Sequence, residues 1–158
     1  MEKDKNLSIN IKRNKLVLII VLLISVLIAA RCYNVKDYIG EWEGTYINQY
    51  SDGTKGLIPG KQIFSYTVKI NPIGYVDIHE YMGIFEQKDK NGLFTESYSF
   101  EYDLSGHLIT KHGKIYLKVD KSDNGRAGLK KGDITELEWL NYNELKMILP
   151  DFEVNLKK

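Results

Sequence analysis

The sequence has a single cysteine, Cys32, among 158 residues, which excludes an intrachain disulfide. Proline is scarce too: three prolines stand against eleven tyrosines, a balance that favours strands. There is no Gly-x-Ser-x-Gly elbow to mark a hydrolytic nucleophile, no low-complexity tract and no internal repeat. A basic excess is missing as well. The chain carries formal charge +1, but residues 1–32 hold six of its 22 basic and two of its 21 acidic side chains, leaving 16 against 19 and a net −3 beyond them. That balance leaves no electrostatic footprint for DNA or RNA. The doublets Lys130-Lys131 and Lys157-Lys158 read as solvated turn and tail.

What is present begins with an apolar run. Residues 16–30 contain no charge and one hydroxyl, Ser25. As a helix the run covers about 22 Å, against a hydrocarbon core of roughly 30 Å that usually takes around 20 residues. It is long for a signal-peptide core and short for a span, with Lys15 and Arg31 placed to snorkel. Lys3, Lys5, Lys12, Arg13 and Lys15 precede it, and only Arg31 closely follows. The positive-inside bias therefore puts residues 1–15 in the cytoplasm and the chain from about residue 33 outside. Residues 31–38 read as a linker, and residues 39–158 as one domain with a single core.

The stretch Leu27-Ile-Ala-Ala-Arg31-Cys32 resembles the lipobox of bacterial lipoproteins, in which such a cysteine is lipidated after cleavage. The family has a small residue where Arg31 stands. Three fates stay open: an uncleaved anchor, lipidation at Cys32, or release by cleavage after Ala30. All three place the domain outside the cytoplasm, at the cell membrane or beyond it.

Beyond residue 38 apolar side chains recur at every second position, the pattern of half-buried strands. Trp42 and Tyr46 share a face in residues 40–48; so do Phe64, Tyr66, Val68 and Ile70, and then Val76 and Ile78. Phe94, Tyr98, Phe100 and Tyr102 follow, ending at a turn expected at Ser105-Gly106, with a short strand over 107–110. Ile115, Leu117 and Val119, then Leu137 and Trp139, then Leu145, Met147 and Leu149, then Phe152, Val154 and Leu156 continue the alternation. Eight or nine short strands without a persuasive helix predict an all-β fold, an antiparallel up-and-down barrel that leaves no free edge.

Gly40-Glu-Trp42-Glu-Gly44-Thr-Tyr46 resembles the opening motif of the lipocalin and fatty-acid-binding superfamily. It is closer still to the short lipocalin-like domains of bacterial surface proteins. Leu137-Glu-Trp-Leu-Asn-Tyr-Asn-Glu-Leu-Lys-Met147 and the final strand are similar to the end of such domains. The resemblance implies that Trp42 plugs one end of the barrel under a basic residue of the last strand, here Lys157 or Lys158 in place of arginine.

Other motifs carry less. Ala127-Gly-Leu-Lys-Lys-Gly-Asp-Ile134 resembles part of a PDZ domain, but too few residues follow it, and a long hairpin loop explains it. Asp120-Lys-Ser-Asp-Asn-Gly125 begins like a calcium loop, yet Lys131 occupies the position of the bidentate acid, so no metal is expected. His79, His107 and His112 read as surface residues. His79 and Glu80 point to opposite faces of one strand and cannot chelate together.

The expectation is therefore a non-enzymatic, membrane-anchored, extracytoplasmic barrel that uses no cofactor and binds a small apolar ligand or another envelope molecule. Its candidate pocket residues are Trp42, Tyr46, Tyr66, Tyr98, Phe100 and Tyr102. The alternatives are an envelope protein-interaction module, such as an inhibitor or immunity-type factor, acting through loops 50–60 and 121–131, and, more remotely, a hydrolase.

Overall fold

Side chains that alternate apolar and polar have one face to bury, and here each such segment buries it by pairing with its sequence neighbours. In the computed structural model, which describes residues 2–50, 60–87, 93–122 and 129–158, they form eight strands. These are β1 Gly40–Tyr50, β2 Gly60–Ile70, β3 Tyr75–Gln87, β4 Phe94–Lys111, β5 Lys114–Ser122, β6 Ile134–Asn141, β7 Glu144–Ile148 and β8 Glu153–Lys157. All pairings are antiparallel, and β8 returns to β1, so the sheet closes as an up-and-down barrel. Helix α1, Glu2–Val35, and one 3-10 turn, Lys36–Tyr38, precede it.

The strand count is eight because the turn expected at Ser105-Gly106 does not form. Strand β4 runs straight through it, and the β4–β5 register shifts there instead. A Cβ on Gly106 would stand 2.2 Å from the Lys118 carbonyl oxygen. The glycine thus lets β4 bend against β5 within one strand.

Trp42, Val68, Ile78, Leu117, Leu137, Met147 and Leu156 point inward and are buried, filling the lower barrel. Gly44 closes the seam: a Cβ there would meet Asn155 O at 2.4 Å and the side chains of Leu156 and Val154 at 2.8 and 2.9 Å.

Helix α1 is attached at this lower end. The Arg31 guanidinium donates to the carbonyl of Ile73, 2.7 Å, and to that of Leu108, 3.4 Å, and Val35 is buried. Residues 31–38, read from sequence as a linker, are thus helix and 3-10 turn seated on the base of the barrel. Residues 14–38, 25 in number, contain an 18-residue stretch of mean hydropathy 2.7 and are long and apolar enough to cross a membrane.

Candidate functional site

The strands are unequal, and that inequality makes the site. Strands β1 to β4 have 11, 11, 13 and 18 residues, whereas β6, β7 and β8 have 8, 5 and 5. Up-and-down order puts the surplus of the long strands at the end opposite α1, where they overhang the short ones as a mouth. Residues 51–59, 88–92 and 123–128 connect strands at that end and lie outside the described residues, as do most of the two loops proposed from sequence as partner-binding.

Register arranges the inner face in levels. Trp42, Val68, Ile78 and Leu104 lie side by side near the base. One level up are Gly44, Tyr66, Glu80 and Tyr102, and above them Tyr46, Phe64, Met82 and Phe100. Phe152, just ahead of β8, closes over this upper row: its ring stacks on Tyr46 with centroids 4.3 Å apart and lies 5.0 Å from Phe64. Phe100 and Tyr102 are near parallel at 6.3 Å. Exposure climbs along β4, from 6% at Tyr102 to 41% at Phe100 and 64% at Tyr98. The upper row is an apolar, aromatic surface turned inward, half-buried at Tyr46, Phe64 and Met82 and open to solvent at Phe100.

Under it lies a carboxyl group. Glu80 is 0% exposed, and with Thr135 it makes up the buried polar side chains among the described residues. Thr135 donates to the Ile148 carbonyl. Tyr66 donates its hydroxyl proton to Glu80 Oε1 at 2.8 Å, while Oε2 has no hydrogen-bond partner among the described residues. Burial pushes the Glu80 carboxyl above its ordinary pKa, and the Tyr66 hydrogen bond opposes that rise. Tyr66 is pushed up as well, by burial first and then by the adjoining acid.

The six pocket residues read from sequence therefore divide. Tyr46 and Phe100 lie in the upper row, Tyr66 and Tyr102 one level beneath it, and Tyr98 beyond them on the overhang. Trp42 belongs to the base: its indole N–H donates to Tyr38 O at 2.7 Å, and Lys158 Nζ sits 4.9 Å from its ring centroid while donating to Ile39 O. Cys32 is a free, half-buried thiol on α1. Sequence reasoning weighed Glu80 only as a partner of His79, and passed over Met82 and the covering role of Phe152. Parity along β3 was the available signal, since Val76, Ile78 and Glu80 fall on one face.

The histidines have partners that spacing did not reveal. His79 Nδ1 is 2.9 Å from Asp103 Oδ1 and His107 Nδ1 is 2.6 Å from Asp120 Oδ2, each pair bridging neighbouring strands on the outer surface. The His79 and Asp103 side chains are 48% and 76% exposed, so that pair is solvated rather than enclosed. Asp120, first residue of the calcium-like stretch, is thereby engaged, and residues 123–125 lie outside the described ones. The described part of the PDZ-like stretch is a turn: Lys130 N–H donates to Asp133 Oδ2, and Asp133 N–H to Lys130 O.

No protein-family model matches this chain, and no curated protein matches it in sequence.

Proposed function

We propose that the protein is a non-enzymatic, membrane-anchored barrel on the outer side of the membrane that takes a small apolar ligand into its mouth. The observation that carries this reading is the inward row Tyr46, Phe64, Met82 and Phe100, apolar and only half-buried, which opens to solvent at Phe100 where the long strands overhang. Water against such a surface is unfavourable by about 25 cal/mol per Å², and a ligand with an apolar body relieves it.

Attachment through an uncleaved α1 is supported by its continuity with the barrel. Arg31, next to Cys32, is hydrogen-bonded to carbonyls of the base and so belongs to the folded body. Basic residues ahead of the helix favour a cytoplasmic N-terminus. Ile73, Tyr75, Trp139, Leu140 and Tyr142 are exposed at the end where α1 leaves, a composition suited to the lipid interface. The mouth then faces away from the bilayer.

Native mass spectrometry of the full chain ejected from detergent micelles tests both halves. The expected spectrum shows the unprocessed polypeptide plus one bound small-molecule mass, and Phe100→Glu loses that added mass. Bare chain alone in both proteins would overturn the ligand reading, and a shortened or lipid-modified polypeptide would overturn the uncleaved anchor.

A further inference from the structure

The geometry points to Glu80 Oε2 as the polar anchor of the mouth, and to a ligand that presents a protonated amine on an apolar body. The inference rests on the mouth being a ligand site and gives that ligand a head group.

Three observations converge. Glu80 is wholly buried, on the inner face, one level beneath the open aromatic row. Its two oxygens are treated differently: Tyr66 satisfies Oε1, while none of the described residues satisfies Oε2. A buried acceptor without a protein partner is rare in folded proteins. The acid also lacks a base. The ion pairs of the described residues, Lys69–Glu41, Lys114–Glu136, Lys146–Glu138 and Lys146–Glu153 with the two histidine pairs, leave Glu80 out.

The chemistry of the missing partner follows from its surroundings. Tyr66 from β2 and Tyr102 from β4 flank Glu80 across the sheet, with Phe64 and Phe100 above them. An ammonium group donates a hydrogen bond to Oε2, supplies the charge that the buried carboxylate lacks, and is attracted to the faces of surrounding rings. A hydroxyl offers only the first of these. A carboxylate head is repelled. The apolar remainder of the ligand lies along the upper row and reaches solvent past Phe100 and Tyr98.

Calorimetric titration of the full chain in zwitterionic nanodiscs at neutral pH, with empty discs subtracted, tests this using benzylammonium, benzyl alcohol and benzoate, three probes of one size. Benzylammonium is expected to bind about tenfold tighter than benzyl alcohol, and benzoate weakest. Glu80→Gln keeps the side-chain shape and an oxygen for the Tyr66 hydroxyl but replaces Oε2 by an NH2, which an alcohol oxygen can accept from and an ammonium cannot; it is expected to lower amine binding to the level of the alcohol or below. Tyr66→Phe, which spares the charge, is expected to keep the amine preference. Equal binding of the three probes, or an amine preference that survives Glu80→Gln, overturns the anchor while the apolar mouth still stands. Binding of none of them overturns both.

Discussion

Glu80 is a group the fold tolerates rather than one that holds it together. Among the described residues its carboxyl has one hydrogen bond and no cation, and burial lifts its pKa above the ordinary 4.5. The sign of the consequence is fixed by which state loses its proton first. Below that ordinary value the acid is neutral in folded and unfolded chains alike, and the fold is not penalised. As pH rises past it the unfolded chain ionises freely, while the folded chain must keep the proton or carry a buried charge, so stability falls until the raised folded value is passed and then levels off. Glu80→Gln removes the titration. In urea unfolding of the full chain followed by tryptophan fluorescence, the variant is expected to be more stable at neutral pH by roughly 1–3 kcal/mol, with the advantage shrinking to near zero in acid. An advantage that stays constant across pH would mean Glu80 is not the group that titrates. The side of the sheet on which Glu80 lies was legible in the sequence, through Val76 and Ile78 four and two residues before it. Its unsatisfied oxygen was not, because that depends on what β2 and β4 bring beside it.

At the scale of the strands, period two was enough to place the apolar face of almost every segment, because each buries one side only. It misread Ser105-Gly106. That dipeptide carries turn chemistry, but here the glycine serves close strand approach, and neighbour distance leaves no mark in a single sequence. Strand length was equally hidden, and with it the overhang that makes the mouth. Barrel closure shows the same dependence on distance. The β1–β8 seam has one register pair, Glu43 with Lys157, next to Gly44, whose missing side chain admits β8. Gly44→Ala is expected to force that seam apart, since the new methyl would meet the Asn155 carbonyl, a backbone atom that cannot swing away. The expected loss is about 1–3 kcal/mol in the urea midpoint, with faster hydrogen exchange confined to β1 and β8. An unchanged midpoint with unchanged exchange would show that the seam has slack.

The whole molecule has a direction. Its packed end takes the helix, holds it through Arg31 and seals Trp42 beneath Lys158; its open end carries the aromatic row and the acid. If α1 anchors the barrel as proposed, this polarity rests the base on the lipid, and the exposed residues there fit such a setting. Trp139 is 43% exposed at the base end of β6 and Tyr142 is 75% exposed in the following turn, whereas Trp42 is wholly enclosed. Tryptophan favours the headgroup level, where its ring is in apolar contact and its N–H stays wet. The chain has two tryptophans, so their fluorescence separates cleanly. In vesicles of lipids brominated along the acyl chain, part of the emission is expected to be quenched, more by bromines near the glycerol than by those near the methyl end. Trp139→Phe should remove that quenchable part and leave the emission of Trp42 behind. If emission is the same with and without bromine, or if the quenched part survives Trp139→Phe, the base does not touch the bilayer and the mouth has no fixed outward direction.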